Sequence, residues 1–338
     1  MNYIGSKYKL SLFLLQSIES TLEKHRAKPL KKSIFCDMFA GSCAVGKLFK
    51  NRAKQVLSND KEFYSFVLAK NYIQNTQTLQ RANELISVLN DERQTPPIES
   101  KIYKHYALGG GEHRQYFSDE NARKIDSIRT SIEAWKEKKH IDEQEYFFLL
   151  ASLLESADKV ANTASVYGAF LKHLKKSAQK PLTLLPASFE TSSNTHLVFK
   201  QDANKLITKI SGDILYLDPP YNAREYGANY HLLNSIALYD EFTPKGKTGL
   251  REYEKSNWCK KAKVYGELEY LIKNANFKLI FLSYNDEGLL SLEQIQELFS
   301  QYGKYSCKTT IHQRFKADSK RVQKQDKTIE YLHILEKV

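Results

Sequence analysis

Short apolar stretches separated by amphipathic, helix-like segments run along both ends of the chain. The stretches are residues 33–37, 55–58, 196–201, 213–217, 277–284, 305–313 and 328–335. Apolar or alternating runs of this length, rich in β-branched and aromatic residues, are typical of strands in a buried sheet. The last two alternate in a way that favours an antiparallel pair. This succession of strands and helices predicts an α/β fold with a doubly wound sheet.

The middle of the chain has a different pattern. Residues 77–194 contain polar helical segments, including amphipathic helices predicted at 118–138 and 142–159, and their first two-thirds show no strand pattern. We therefore predict a helical insertion at 77–194 in a domain made of residues 1–76 and 195–338. The insertion is a candidate for substrate recognition, and the alternative is a helical cap without that role.

The chain has 338 residues, and its 51 Lys and Arg against 39 Asp and Glu give a net charge of +12. Together with 21 Tyr and 17 Phe, which can stack on bases, this charge suits a polyanionic partner such as nucleic acid. The charge raises this expectation without establishing it, because many basic proteins bind no nucleic acid.

Other classes of protein are disfavoured by composition. No apolar run is long enough for a bilayer, and the first residues lack the apolar core of a secretory signal, so we expect no membrane partner. The four cysteines form no Cys-x-x-Cys pair, and the histidines lack metal-ligand spacing. We therefore expect reduced thiols in the cytoplasm and no metal site.

The most informative motif is Asp218, Pro219, Pro220 and Tyr221, directly after the apolar stretch 213–217. These residues come at the carboxyl end of a predicted strand, where open α/β sheets bind their ligands. Two prolines fix φ and lack N–H groups, which leaves rigid backbone carbonyls as acceptors. A carboxylate, a carbonyl and one ring suit an amino group on a flat heterocycle. The alternative is a turn that merely ends the strand.

A second motif follows the first predicted strand. Asp37 leads into a turn with Met38, Phe39, Gly41 and Ser42, and glycine at a strand-to-helix turn allows close approach to a ligand. Asp60 lies about 20 residues further on, where doubly wound folds hold a ribose hydroxyl pair. Its alternative role is to cap the next helix, which is compatible with binding.

Three further groups of residues are candidates for ligand contacts. The N-terminal segment brings Tyr3, a glycine and the cation of Lys7, although a frayed terminus is the alternative there. The segment after Tyr221 interleaves rings with cations, and the predicted insertion carries a basic stretch. The candidates for nucleic-acid contact are Arg224, Tyr230, Lys247, Arg251, Lys172 and Lys176. A solvated surface is the alternative for these.

Taken together, these residues resemble the S-adenosylmethionine-dependent DNA adenine-N6 methyltransferases with the α order of motifs. In that order the N-terminal and glycine-turn motifs precede the target-recognition region, and the Asp-Pro-Pro-Tyr motif follows it. The similarity extends over nearly the whole chain. It implies a Rossmann-like methyltransferase sheet with an inserted target-recognition domain, duplex DNA as substrate, and a restriction endonuclease as a partner.

The resemblance also implies residue roles. The residues implied to bind the cofactor are Tyr3, Lys7, the turn from Asp37 to Ser42, Asp60, and Asp202 with Ala203. Asp218 is also implied to lie near the cofactor. Asp218 and the Pro219 carbonyl are implied to hold the target amino group, with Tyr221 stacked on the flipped base. Cys43 departs from the family pattern, which usually has glycine there. RNA base methylation, cytosine-N4 methylation of DNA and non-catalytic nucleic-acid binding are the alternative functions.

Overall fold

A computed structural model of the chain describes residues 6–164, 166–313 and 327–338. Its strands are β1 (Ile34–Asp37), β2 (Gln55–Asn59), β3 (Leu197–Phe199), β4 (Ser211–Leu217), β5 (Asn276–Asn285), β6 (Gly303–Gln313) and β7 (Lys327–Lys337). Each lies at one of the seven apolar stretches predicted from the sequence.

These strands form one sheet in the order β3-β2-β1-β4-β5-β7-β6. The five strands from β3 to β5 are parallel, and β7 runs antiparallel between β5 and β6. The order reverses between β1 and β4, which is the point where doubly wound sheets bind ligands. The predicted α/β fold with a doubly wound sheet, including the antiparallel final pair, is confirmed.

Helices flank and interrupt the strand series. In chain order they are α1 (Ser11–Lys24), α2 (Ala44–Lys50), α3 (Phe63–Ala69), α4 (Ala82–Asn90), α5 (Lys101–Tyr106), α6 (Asp119–Glu137), α7 (Glu143–Val160), α8 (Ala203–Leu206), α9 (Tyr226–Asn229), α10 (His231–Leu238), α11 (Val264–Asn274) and α12 (Leu292–Ser300). A π-helical turn, Lys70–Gln74, follows α3. In the described ranges, no helix is both long and apolar enough to cross a bilayer.

The sheet core is formed by strand residues packed against α11 and α12. Ile280 and Leu282 of β5 lie in one cluster with Leu271 of α11 and Leu298 of α12, and all four are fully buried. Burying a side chain of this size stabilises a fold by about 1.5–3 kcal/mol. Leu217 of β4 belongs to the same cluster, so the packing supports the carboxyl ends of both β4 and β5.

The described residues divide into two compact units. One consists of Lys70–Thr191 and Tyr226–Glu254, and the other of the described parts of Gly5–Ala69, Ser192–Glu225 and Lys255–Val338. The second unit, which we call the sheet unit, contains all seven strands. The first, which we call the helical unit, contains α4–α7, α9 and α10.

The helical unit differs from the predicted insertion by including residues 226–254. Within it, the buried Arg129 of α6 donates hydrogen bonds to the Ile236 carbonyl at 3.0 Å and the Ala237 carbonyl at 3.1 Å. The Tyr106 hydroxyl donates to the Gly249 carbonyl at 2.7 Å. These partners are more than a hundred residues apart in sequence, so local patterns could not reveal that the two segments belong together.

Candidate active site

Four aspartates follow four neighbouring strands of the sheet unit. Asp37 ends β1, Asp60 follows β2 directly, Asp202 lies just after β3, and Asp218 follows β4 directly. Because β3, β2, β1 and β4 are parallel and adjacent, their carboxyl ends meet at one edge of the sheet. We call this row of carboxyl groups the acidic edge.

The turn after β1 is held against the turn after β2. Gly41 has φ +51°, and its N–H donates to Oδ2 of Asp60 at 2.7 Å. Cys43 has φ +61°, a left-handed conformation that glycine adopts more easily than other residues. It is fully buried, with its thiol 3.9 Å from the Ser65 carbonyl oxygen. The geometry explains why glycine suits this position.

Asp37 is almost completely buried. Its Oδ2 accepts the Gly46 N–H at 3.0 Å, whereas no donor among the described residues reaches Oδ1. Burial, and secondarily the charge of Asp218, raises the pKa of Asp37 to about 8. The carboxyl group is therefore mostly protonated at neutral pH and has an unused hydrogen-bonding oxygen.

Asp60 and Asp202 both cap the segment that follows them. Oδ1 of Asp60 accepts the Glu62 N–H at 2.9 Å, and Oδ1 of Asp202 accepts the Asn204 N–H at 3.0 Å. Burial raises the pKa of Asp60, although its backbone hydrogen bonds oppose this. Each oxygen of a carboxylate has two lone pairs, so capping leaves both groups able to accept further hydrogen bonds.

The buried end of β4 places Asp218 and the prolines. Leu217 is fully buried, Pro219 is buried, and the Asp218 side chain is 16% exposed. The half-buried Tyr221 has its ring centroid 6.3 Å from that of Tyr284 in an edge-to-face arrangement. The Leu289 N–H donates to the Tyr221 carbonyl at 2.9 Å. The motif is thus fixed in place from both β4 and β5.

The N-terminal segment brings Lys7 to Asp218. The Lys7 ammonium lies 3.3 Å from Oδ1 of Asp218, 2.5 Å from Oε1 of Glu330, and 5.6 Å from the centre of the Tyr221 ring. Burial opposes the charge of Lys7, but Asp218 and Glu330 outweigh it and raise its pKa. Burial raises the pKa of Asp218 to about 7, with Lys7 lowering it and Glu330 raising it.

Glu330 also belongs to this site, although no sequence motif marks it. It lies on β7, where Thr328 and Glu330 are buried and the intervening Ile329 and the following Tyr331 are more exposed. A carboxylate at a buried position of this alternating stretch was the available signal, since such a group needs a buried partner. That partner, Lys7, comes from the opposite end of the chain.

The remaining predicted cofactor residues lie in the sheet unit around the same turns. Met38 is fully buried, and Ala203 is 5% exposed. Phe39 packs edge-to-face on the buried Trp258, with ring centroids 5.1 Å apart. The Ser42 hydroxyl lies 3.3 Å from that of Ser6, which joins the N-terminal segment to the turn. Tyr3 lies outside the described residues.

The six predicted DNA contacts fall into two groups. Those with exposed side chains are Arg224 of the sheet unit and Lys172, Lys176 and Lys247 of the helical unit. Arg251 is 8% exposed and pairs with Asp240 at 2.8 Å, and Tyr230 is 1% exposed and stacks on Tyr226. Both buried residues hold the helical unit together in this conformation.

A doubly wound sheet with an antiparallel β7, and a strand that ends in Asp-Pro-Pro-Tyr beside an acidic edge, define an α/β methyltransferase. Comparison with protein families identifies the class more closely. The model of the D12 class N6 adenine-specific DNA methyltransferases matches residues 3–298, which is most of the chain. The chain therefore belongs to this family.

Individual relatives agree with this assignment. The chain is 59% identical to Type II methyltransferase M.NlaIII of Neisseria lactamica, over 100% of this chain and 99% of that protein. It is 39% identical to Type II methyltransferase M.CviAII of Paramecium bursaria Chlorella virus 1, over 94% and 93%. It is 37% identical to Type II methyltransferase M.FokI of Planomicrobium okeanokoites, over 100% of this chain and 53% of that protein.

The protein is thus an adenine-N6 DNA methyltransferase, as the resemblance in its motifs predicts. RNA base methylation, cytosine-N4 methylation and non-catalytic binding, which the residues alone leave open, are not supported by the family assignment. As a methyltransferase, the protein needs a methyl donor and acts on DNA.

Proposed function

We propose that the protein methylates adenine at one specific sequence in duplex DNA, with S-adenosylmethionine as methyl donor, as the modification enzyme of a restriction–modification system. The observation that carries the proposal is the position of Asp218. It is the one member of the acidic edge that is followed by two prolines and a half-buried ring, beside a buried ammonium group.

The target amino group of adenine is a poor nucleophile because its lone pair is delocalised into the ring. In our proposal, the Asp218 carboxylate and the Pro219 carbonyl accept hydrogen bonds from the two N–H bonds of that group. These bonds favour a more tetrahedral nitrogen and orient its lone pair. The contribution of the protein is therefore positioning and electrostatics, with no covalent intermediate on the enzyme.

Adenine N6 cannot reach such a site within a base pair, so the nucleotide must leave the helix, at a cost of about a few kcal/mol. We propose that the Tyr221 ring stacks on the extruded base, which offsets about 1–3 kcal/mol of this cost. The fixed carbonyl of Tyr221 and its contact with Tyr284 support this role, because a pre-oriented ring loses little entropy on stacking.

The acidic edge suits S-adenosylmethionine, which when bound supplies an electrophilic methyl group on a sulfonium. The buried Oδ1 of Asp37, without a donor among the described residues, is suited to a hydrogen bond from the methionine part. Asp60 retains acceptor capacity for a ribose hydroxyl pair, and Asp202 for the adenine amino group of the cofactor. Phe39, which packs on Trp258, supplies an apolar surface at the turn after β1.

We assign target recognition to the helical unit and phosphate contacts to its exposed cations, Lys172, Lys176 and Lys247, together with Arg224 of the sheet unit. Tyr230 and Arg251 support these contacts indirectly, because their side chains are buried. The Type II methyltransferases among the relatives support a cognate restriction endonuclease as partner.

Mapping N6-methyladenine in genomic DNA from cells that express the protein tests the proposal. We expect all modified adenines to share one short sequence, and the pattern to vanish when Tyr221 is replaced by Ala but to persist with Phe. Calorimetry with S-adenosylmethionine should show binding to wild type and weaker binding to Asp60→Ala. Methylation without a shared sequence would contradict sequence-specific modification. Unchanged cofactor affinity in Asp60→Ala would contradict the role of Asp60 in cofactor binding.

A further inference from the structure

The antiparallel direction of β7 brings its first residues to the acidic edge. Glu330 pairs with Asn285 at the carboxyl end of β5, which lies next to β4 in the sheet. A parallel strand at this position would present its last residues there instead. The antiparallel strand therefore delivers a buried carboxylate, 5% exposed, to the neighbourhood of Asp218.

The contacts of Glu330 fix both its own position and that of Lys7. Oε1 of Glu330 accepts the Ser283 hydroxyl at 2.8 Å and lies 2.5 Å from the Lys7 ammonium. The same ammonium is 3.3 Å from Oδ1 of Asp218. Lys7 is thus closer to Glu330 than to Asp218, although both carboxylates can reach it.

We propose that Glu330 is a positioning residue for methyl transfer, which holds the Lys7 ammonium so that Asp218 keeps its capacity to accept hydrogen bonds from the target amino group. The inference rests on the proposed role of Asp218. One ammonium shared by two carboxylates leaves one net negative charge in a buried site. Without Glu330, Lys7 would form a full ion pair with Asp218 and reduce its strength as an acceptor.

The charged and titratable groups that interact electrostatically with Asp218 are Lys7, Glu330, Asp37, Tyr216 and Tyr221. Burial contributes most to the raised pKa of Asp218, Lys7 lowers that pKa, and Glu330 raises it. Removing the charge of Glu330 should therefore shift the ionisation of Asp218 to lower pH. A purely structural role of Glu330 would leave that ionisation where it is.

The test compares Glu330→Gln with Glu336→Gln, a carboxylate on the same strand that faces His25 instead. Single-turnover methylation of unmethylated genomic DNA is followed from pH 5.5 to 9, with incorporated N6-methyladenine as the readout. For Glu330→Gln we expect at least a tenfold loss of rate at pH 8 and an acidic limb displaced to lower pH by half a unit or more. Glu336→Gln should keep the wild-type rate and limb.

Ser283→Ala is the second variant, for use if Glu330→Gln does not fold. It removes the hydroxyl that holds Glu330 and leaves every charge in place. We expect a severalfold loss of rate with cofactor affinity unchanged, and a wild-type rate would contradict the inference.

A folded Glu330→Gln protein with wild-type kinetics, or with a lower rate and an unmoved limb, would overturn the inference. Asp218→Asn, measured in the same assay, separates this failure from that of the proposed function. If Asp218→Asn loses turnover while Glu330→Gln matches Glu336→Gln, only the role of Glu330 is wrong. If Asp218→Asn retains turnover, the assignment of Asp218 fails.

Discussion

The ammonium of Lys7 lies 3.3 Å from Oδ1 of Asp218, and the two side chains are 5% and 16% exposed. Despite this cation, burial raises the pKa of Asp218 to about 7. The residue that we propose as acceptor for the target amino group therefore ionises close to neutral pH. The rate of methyl transfer should therefore depend on the protonation state of Asp218 near neutral pH.

The rate of methyl transfer is expected to fall as the pH drops below about 7. Protonation of Asp218 removes acceptor capacity, and a group with this pKa is about tenfold less ionised at pH 6 than at pH 8. Single-turnover rates at saturating cofactor and DNA measure the effect, with cofactor affinity at each pH as control. A constant rate between pH 6 and pH 8 would contradict it.

The stability of the cofactor-free protein should depend on pH through Asp37. Its folded pKa of about 8 is above that of an unfolded Asp, so its stabilising contribution is complete below about pH 4 and is lost as the pH rises through 8. Between pH 6 and pH 8 the loss amounts to about 2 kcal/mol. Urea unfolding should show this loss in wild type and a smaller one in Asp37→Asn. Identical pH profiles of wild type and Asp37→Asn would contradict a raised pKa of Asp37 in the folded protein.

The left-handed backbone at Cys43 predicts an order among substitutions. Glycine adopts this conformation freely, so Cys43→Gly should stay within about 1 kcal/mol of wild type in unfolding free energy. A β-branched residue is strained there and is also confined by burial, so Cys43→Val should lose at least about 2 kcal/mol. Equal stability of the two variants in urea would show that the turn does not require this conformation.

Exposed and buried cations of the helical unit should behave differently. Lys247→Ala is expected to weaken DNA binding and to reduce the salt slope of affinity by about 1, without changing stability. Arg251→Ala should lower the unfolding free energy by about 1–3 kcal/mol, because the buried guanidinium of Arg251 donates hydrogen bonds to the half-exposed carboxylate of Asp240. Titrations at several salt concentrations and urea unfolding measure the two effects. A stable Arg251→Ala protein with a reduced salt slope would show instead that Arg251 contacts DNA phosphates and does not stabilise the fold.

The sheet could be predicted from the sequence because its strands are apolar or alternating runs, including the only partly buried β3 and β6. For β4 and β5 the alternation of apolar residues and their lengths suffice, and the position of Asp218 at a strand end follows from them. The burial of Arg251 and Tyr230 could not be predicted, because it depends on partners brought together by folding. The partner of Glu330 could not be predicted for the same reason, because Lys7 is 323 residues away in the sequence.

Replacement of Asp218 by Asn tests the central claim most directly. Asp213→Asn is the matched control, since Asp213 lies on β4, which Asp218 follows directly, and contacts Lys28 and the Ile34 N–H instead. The measurement is N6-methyladenine, quantified by mass spectrometry in genomic DNA of cells that express each variant at equal levels. We predict methylation by wild type and Asp213→Asn, and a loss of at least a hundredfold (about 2.7 kcal/mol or more) with Asp218→Asn. Methylation by Asp218→Asn at the wild-type level would contradict the account.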